Sequence, residues 1–126
     1  MIENIAAQIL QEKGLGVPGE SLFIFHAPDE IGRCLLVLNS LDGIERDDEL
    51  PGYKKADFKV IVRNPDYHSA MTIAKQVMSA LDLHRLTVNG IFVQRMRASH
   101  DPIPFPIPDS DVIEVSVNMR AAFVEP

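Results

Sequence analysis

Residues 55–81 decide the fold, and they read KADFKVIVRNPDYHSAMTIAKQVMSAL. In the first nine positions Phe58, Val60 and Val62 alternate with Asp57, Lys59, Ile61 and Arg63, of which all but Ile61 are charged. This is the period of a strand with one buried face. The next three residues, Asn64-Pro65-Asp66, supply a side-chain acceptor, a residue without N–H and an acid, all favoured at a helix start. The apolar residues that follow recur every three or four positions, as on the buried stripe of a helix. They are Tyr67, Ala70, Met71, Ala74, Val77, Met78 and Leu81.

Further apolar patterns surround this strand and helix. Residues 1–13 have the i, i+3, i+4 spacing of an amphipathic helix, which Gly14 and Pro18 would end. Two apolar runs, 22–25 and 34–38, are bounded by turn residues and predict a β-hairpin that is covered on both faces.

The last third of the chain predicts two more strands. Asn89-Gly90 is typical of a tight turn, and 91–96 and 112–123 are expected to pair as an antiparallel ribbon. Residues 101–109 carry four prolines in alternate positions, which a central strand cannot accept, so they predict a stiff arm or loop.

The predicted element order is α-β-β-β-α-β-β. It indicates the α+β class, with a mostly antiparallel sheet and two helices packed on one face. The whole chain, 1–126, has the usual length of one domain.

Composition argues against several functions. A net charge of −6 disfavours wrapping a phosphate backbone, because nucleic-acid affinity depends largely on clustered Lys and Arg. Apolar runs are too short to span a bilayer and the N-terminus does not resemble a signal peptide, so we expect a soluble, unexported protein. The lone Cys34 lies in an apolar run and predicts a small buried hydrophobe.

An acidic segment, residues 42–49, is expected to form an exposed loop. Five acids stand there against Arg46: Asp42, Glu45, Asp47, Asp48 and Glu49. Their order does not match a calcium-binding loop. The four histidines are scattered, and no glycine-rich loop precedes a helix, so we predict neither a metal nor a cofactor.

One enzymatic alternative comes from a short motif. Pro28-Asp29, followed by Asp57 and Lys59, matches the pattern of nucleases in which two carboxylates hold Mg²⁺ and a lysine assists the attacking water. Asp57 and Lys59 lie on the same face of the predicted strand. Against this, the motif has few fixed letters and the acidic surface would repel DNA. The alternative interpretation is an ion pair beside Arg63.

The chain resembles the tail terminator proteins of long-tailed bacteriophages, also called minor capsid or tail completion proteins. Most of the resemblance lies in 58–81, where a strand ending in Val62-Arg63 precedes Asp66-Tyr67 and the helix. It continues through Gly90, the proline-containing turn at 102–108 and the final strand. The first helix fits as well, so the similarity covers nearly the whole chain.

The resemblance implies a structural protein without catalytic residues. Family members form a ring, usually a hexamer, that caps the last ring of the tail tube, stops its polymerisation and presents a surface to the head. The implied partners are other copies of the chain, the tail tube protein and a head completion or neck protein, with DNA only passing through the lumen. The implied location is the tail–head junction of the virion, and the host cytoplasm during assembly. Another adaptor of the phage neck is an alternative.

Two sets of residues are candidates for contacts in such a ring. The acidic segment would face the lumen, where negative charge keeps DNA from sticking, or a partner. Contacts with another subunit or the tube are expected where apolar and aromatic anchors are exposed. These candidates are Ile61, Arg63, Ile103 and Phe105.

Overall fold

The structure, a computed structural model, describes residues 2–106 and 110–125, with the backbone alone at 40–42 and at 106. Two helices and seven strands are present in these ranges. In chain order they are α1 (Ile2–Glu12), β1 (Leu22–Ile24), β2 (Cys34–Arg46), β3 (Tyr53–Asn64), α2 (Tyr67–Ala80), β4 (Leu83–Val88), β5 (Ile91–Ala98), β6 (Ile103–Pro106) and β7 (Ile113–Val124).

All the described strands join one sheet, in the order β1-β2-β3-β7-β5-β4, and β6 pairs with the first residues of β7. Every pairing is antiparallel except that of β1 with β2. The predicted α+β class is therefore confirmed, as are the ribbon of β5 with β7 and, up to Val60, the alternating burial of β3. β4 and β6 were not predicted.

Both helices pack on the same face of the sheet. α1 lies on β1 and β2, and α2 lies on β3 and β7. Alternate residues of β3 and β7 meet the helices and are fully buried: Phe58, Val60, Val62, Val115, Val117, Met119 and Phe123. Burying these side chains, each worth roughly 1.5–3 kcal/mol against exposure, is the main stabilising contribution on this face.

α2 starts directly after residues 64–66, as predicted, but its N-cap is Asp66 and Pro65 precedes the cap, whereas the sequence pattern placed the capping acceptor at Asn64 and Asp66 inside the first turn. The Asp66 carboxylate accepts hydrogen bonds from the backbone N–H of Ser69 at 2.9 Å and from its hydroxyl at 2.8 Å. These bonds favour the charged carboxylate and hold the pKa of Asp66 below its usual value. A helix that would otherwise leave its first N–H groups unpaired is thereby capped directly after β3.

The predicted β-hairpin is wrong in its connection, because β1 and β2 run parallel. The chain leaves β1 at Phe25, whose φ of 69° turns the backbone aside, and it returns to the start of β2 through residues 25–33. This loop lays Ala27 and Ile31 on the face of β2 that the helices do not cover. Residues 34–37 of β2 are thus buried on both faces, as predicted for that run, whereas Phe25 at the end of the first run is 57% exposed.

Two segments differ from their predicted conformations. Part of the proline-rich arm forms β6, which lies at a sheet edge, where a missing N–H does the least harm to strand pairing; residues 107–109 lie outside the described residues. Residues 42–46 of the acidic segment belong to β2, so the predicted loop is shorter and runs from 47 to 52. The register of β2 against β3 shifts between Asn39 and Ile44.

Candidate functional site

The sheet face away from the helices, which we call the outer face, holds two residues of the nuclease motif, Asp57 and Lys59, and the four predicted contact residues. β3 contributes Asp57, Lys59, Ile61 and Arg63 to it, alternating with the buried residues that meet the helices. The strand registers arrange the outer face in rows that cross the sheet, and these rows fall into a covered end and an open end.

The covered end lies beneath the 25–33 loop and is centred on Arg63. Its Nε donates to Glu114 Oε2 at 2.9 Å, and its Nη1 donates to the Pro28 carbonyl oxygen at 3.2 Å. Glu114 raises the pKa of Arg63 further above its ordinary value, which strengthens the charge-assisted bond between them. The guanidinium therefore ties the loop to the sheet.

The same loop seals a small apolar cluster. Ala27, Cys34, Leu36 and Ile61 are all buried there. Burial raises the pKa of the Cys34 thiol, so at neutral pH it stays protonated and unreactive, as the sequence interpretation expected.

The four predicted contact residues share this end of the outer face, but with different exposures. Ile61 is only 5% exposed, so the expectation that it is exposed is wrong; the loop, which sequence patterns did not place, covers it. The Arg63 guanidinium is already paired with Glu114 of its own chain. Ile103 and Phe105 of β6 are 45% and 39% exposed, opposite Ser116 and Glu114 respectively.

The open end carries a cationic group that sequence analysis missed. Five exposed side chains form it, on three adjacent strands: Lys55, Lys59, Arg95, Arg97 and Arg120. Arg97 lies directly opposite Arg120 across β5 and β7. Within the described ranges, the side chains of Arg95 and Arg97 have no ion pair or hydrogen bond, and Arg120 Nε reaches Asp57 Oδ1 only at 4.0 Å. The sequence signal that could have revealed this group is the spacing of Arg95 and Arg97, which lie two residues apart in a strand and therefore on the same face.

The acidic segment borders the open end. Glu45 lies opposite Lys55 in the register of β2 against β3, and Asp47 begins the turn that follows. The Asp47 carboxylate accepts the N–H groups of Glu49 and Leu50 at 2.8 and 2.9 Å, which holds its pKa below the usual range. Asp48 and Glu49 are exposed beside it, while the side chain of Asp42 lies outside the described residues.

A family model described as "Bacteriophage tail terminator protein" matches residues 9–125. The chain belongs to this tail terminator family. No curated protein matches it. A solved structure described as "Virion of native gene transfer agent (GTA) particle" has the same fold, with a TM-score of 0.66 and 13% identity over 96% of this chain and 85% of that one.

Family membership makes the tail terminator protein a structural component of a phage and not an enzyme. The arrangement of the nuclease motif agrees. Asp57 and Lys59 share the open end, whereas Pro28-Asp29 is held beside Arg63. Six strand residues separate Asp57 from Arg63, about 20 Å at the rise of a strand, so the two carboxylates do not meet.

Across residues 2–106 and 110–125, no three His, Cys, Asp or Glu side chains are grouped closely enough to hold a metal ion. Neither helix in the described part of the tail terminator is long and apolar enough to cross a membrane.

Proposed function

We propose that this tail terminator forms a ring that caps the last ring of the tail tube, stops the tube from polymerising and offers the head its joining surface. The observation that carries the proposal is the family match over residues 9–125. The sheet topology supports it, because a sheet with two different edges can repeat one heterologous contact, and such a contact closes into a ring when the rotation fits.

The proposed partners are further copies of the chain, most simply six, the tail tube protein, and a head completion or neck protein. DNA passes through the lumen without being bound. The protein would act in the host cytoplasm during assembly and stay at the tail–head junction of the virion. A net charge of −6 supports passage over binding, because it disfavours adhesion of a phosphate backbone.

Electron microscopy of tails assembled without the protein tests the capping role. Tubes of variable and excessive length, restored to uniform length by supplying the protein, are expected. Uniform tails joined to full heads in its absence would overturn the proposal.

Within this function we assign Ile103 and Phe105 to a contact with the tube end or a neighbouring subunit. Both side chains project from edge strand β6 and stay well exposed, while their strand is held by four residue pairs with β7. A rigid, partly exposed aromatic anchor is the type of residue that dominates interface energies.

Phe105→Ala tests this assignment, with Tyr67→Ala as the matched control. Tyr67 is a similarly exposed aromatic, at 46%, but it lies at the start of α2 on the other side of the sheet. Phe105→Ala should fold normally and cap fewer tubes, by at least about tenfold at limiting protein. Equal capping by the two variants contradicts the assignment.

A further inference from the structure

The outer face is electrostatically polarised from one sheet edge to the other. One row of paired residues, read from β2 to β4, is Glu45, Lys55, Ala122, Arg95 and His84. The next row on the same face holds Asp57, Arg120 and Arg97. In both rows the acid stands on the β2–β3 side and the arginines stand toward β4.

Among the described residues, no acid pairs with Arg95 or Arg97 in their own copy, and Arg120 has only Asp57, at 4.0 Å. Arg97 faces Arg120, and like charges directly opposite each other destabilise a strand pair. The acidic segment of the same copy lies on β2 and its turn, three strands from β5, or roughly 14 Å at the spacing of strands. That distance is far too long for an ion pair.

At both edges of the sheet there are strand residues with no described strand beside them to pair with. β4 pairs with β5 alone among the described strands, and four of its six side chains are exposed. Residues 44–46 of β2 pair with β3, and no described strand lies on their other side, because β1 pairs only with 35–37. Unfilled edges of this kind readily accept a strand or turn of another chain.

We propose that the acidic turn of one copy, by which we mean Asp48 and Glu49 with Glu45 at the end of β2, docks against the cationic edge of the next copy, comprising Arg95 and Arg97. The contact joins two different surfaces, so it repeats from copy to copy and is the contact that closes the ring. It rests on the proposed function for its setting, since a capping ring is what such a repeat would build.

The molecule that binds this cationic edge is a second copy of the chain, because the chain carries an acidic and a cationic surface toward opposite edges of one sheet. Two exposed acids of the turn, Asp48 and Glu49, together with Glu45 at the end of β2, are opposite in sign to the exposed Arg95 and Arg97. DNA is the weaker candidate, because the acidic turn lies at the other end of the same face in a chain of net charge −6 and would repel a phosphate backbone. Charged surfaces of this kind set partner orientation and speed association.

Charge reversal tests the contact. Arg95→Glu/Arg97→Glu makes both halves acidic, and Asp48→Arg/Glu49→Arg makes both basic; all four positions are exposed. Asp47 is left intact because its carboxylate holds the turn. Native mass spectrometry at low salt should show that each variant needs at least about tenfold more protein to assemble than the wild type.

Restoration is the decisive arm. A chain with all four reversals regains a complementary contact and should assemble, and an equimolar mixture of the two double variants should form alternating oligomers. Lys13→Glu/Lys75→Glu, which changes net charge as much as the arginine variant but on the helix side, should assemble like the wild type. Assembly that both outer-face variants retain, or that the four-fold variant fails to regain while still folded, overturns the proposal.

Disulfide trapping on assembled tails covers the case in which the free protein stays monomeric. Glu49→Cys/Arg97→Cys, in a Cys34→Ser background, should oxidise to a covalent ladder of copies. A chain with only one of the two cysteines should stop at the dimer at most. Normal incorporation into tails with no ladder overturns the contact.

A DNA-binding measurement tests whether DNA, the other candidate, binds the cationic edge instead. Fluorescence anisotropy with a labelled duplex should show no more salt-dependent binding by the wild type than by Arg95→Glu/Arg97→Glu. Binding that only the wild type shows, together with unchanged assembly of the variant, would assign the cations to DNA and overturn the proposal.

The capping function is judged separately, by tail length. A ring that forms through this contact but leaves tubes uncapped would refute the proposed function and not the contact.

Discussion

The covered and open ends of the outer face have similar residues and use them in opposite ways. At the covered end the Arg63 and Glu114 side chains are 15% and 17% exposed and meet at 2.9 Å. At the open end Arg120 and Asp57 are 58% and 47% exposed and are 4.0 Å apart. Both pairs join β3 to β7, so topology is not what distinguishes them.

The difference is the loop at 25–33. It removes water from the covered end and brings a carbonyl oxygen to Arg63, so removing one partner there would strand a half-buried charge. Water screens the open end, where exposed ion pairs contribute about 0–1 kcal/mol. Charges at the covered end therefore stabilise the fold, while those at the open end remain available to another molecule.

The largest effect is expected at Ile61, in the middle of the covered end. Ile61→Ala removes a side chain that is 5% exposed and leaves a cavity beneath the loop, at a cost of about 2–4 kcal/mol of unfolding free energy. Lys59→Ala, two residues earlier on the same face but exposed, should change it by less than about 0.5 kcal/mol. Urea unfolding of both variants makes the measurement, and equal losses would break the distinction between the ends.

Arg63→Met should have the next largest effect. It deletes the bonds to Glu114 and to the Pro28 carbonyl and should cost about 1.5–3 kcal/mol. A double-mutant cycle with Glu114→Gln isolates the pair. A coupling energy near zero would mean that the covered ion pair is worth no more than the open one.

Sequence patterns predicted the elements whose residues follow a regular period or a local helix-start signal. The alternation of β3 up to Val60 and the start of α2 after residues 64–66 depend on neighbours in sequence, and both were confirmed, although the cap is Asp66 and not Asn64. The parallel pairing of β1 was not predictable in the same way, because it depends on the path of a loop and not on periodicity. The burial of Ile61 depends on the same loop, so both errors have one cause.

The candidate site was predictable only where its residues are neighbours in sequence. Asp47, Asp48 and Glu49 stand together and were found as an acidic segment, although its first part is strand. Arg97 and Arg120 lie 23 positions apart (120 − 97), and only the register of β5 against β7 brings them face to face. The cationic group required the sheet before it could be seen.

A smaller effect, dependent on pH, is expected at Asp47, which holds the turn at the open end. Its folded pKa is depressed by the N–H groups of Glu49 and Leu50, so its contribution to stability is present above the unfolded pKa of about 3.9 and is lost as pH falls through the folded value. Carboxyl NMR titration should place the Asp47 midpoint below that of an unstructured Asp. A midpoint at or above about 3.9 contradicts the turn geometry.

The smallest effect has the opposite sign. Arg97→Ala removes a charge that faces Arg120 and that has no acid or hydrogen-bond partner within the described ranges, so it should stabilise the monomer by about 0.2–0.5 kcal/mol at low salt. The gain should shrink at 1 M salt, where the screening length falls to about 3 Å. Urea midpoints at both salt concentrations make the measurement, with Arg120→Ala as the control that also loses Asp57. A destabilisation above about 1 kcal/mol would mean that Arg97 supports its own fold, and the open end would then resemble the covered one. A more stable monomer that assembles less well would instead show that this arginine is kept for the contact between copies.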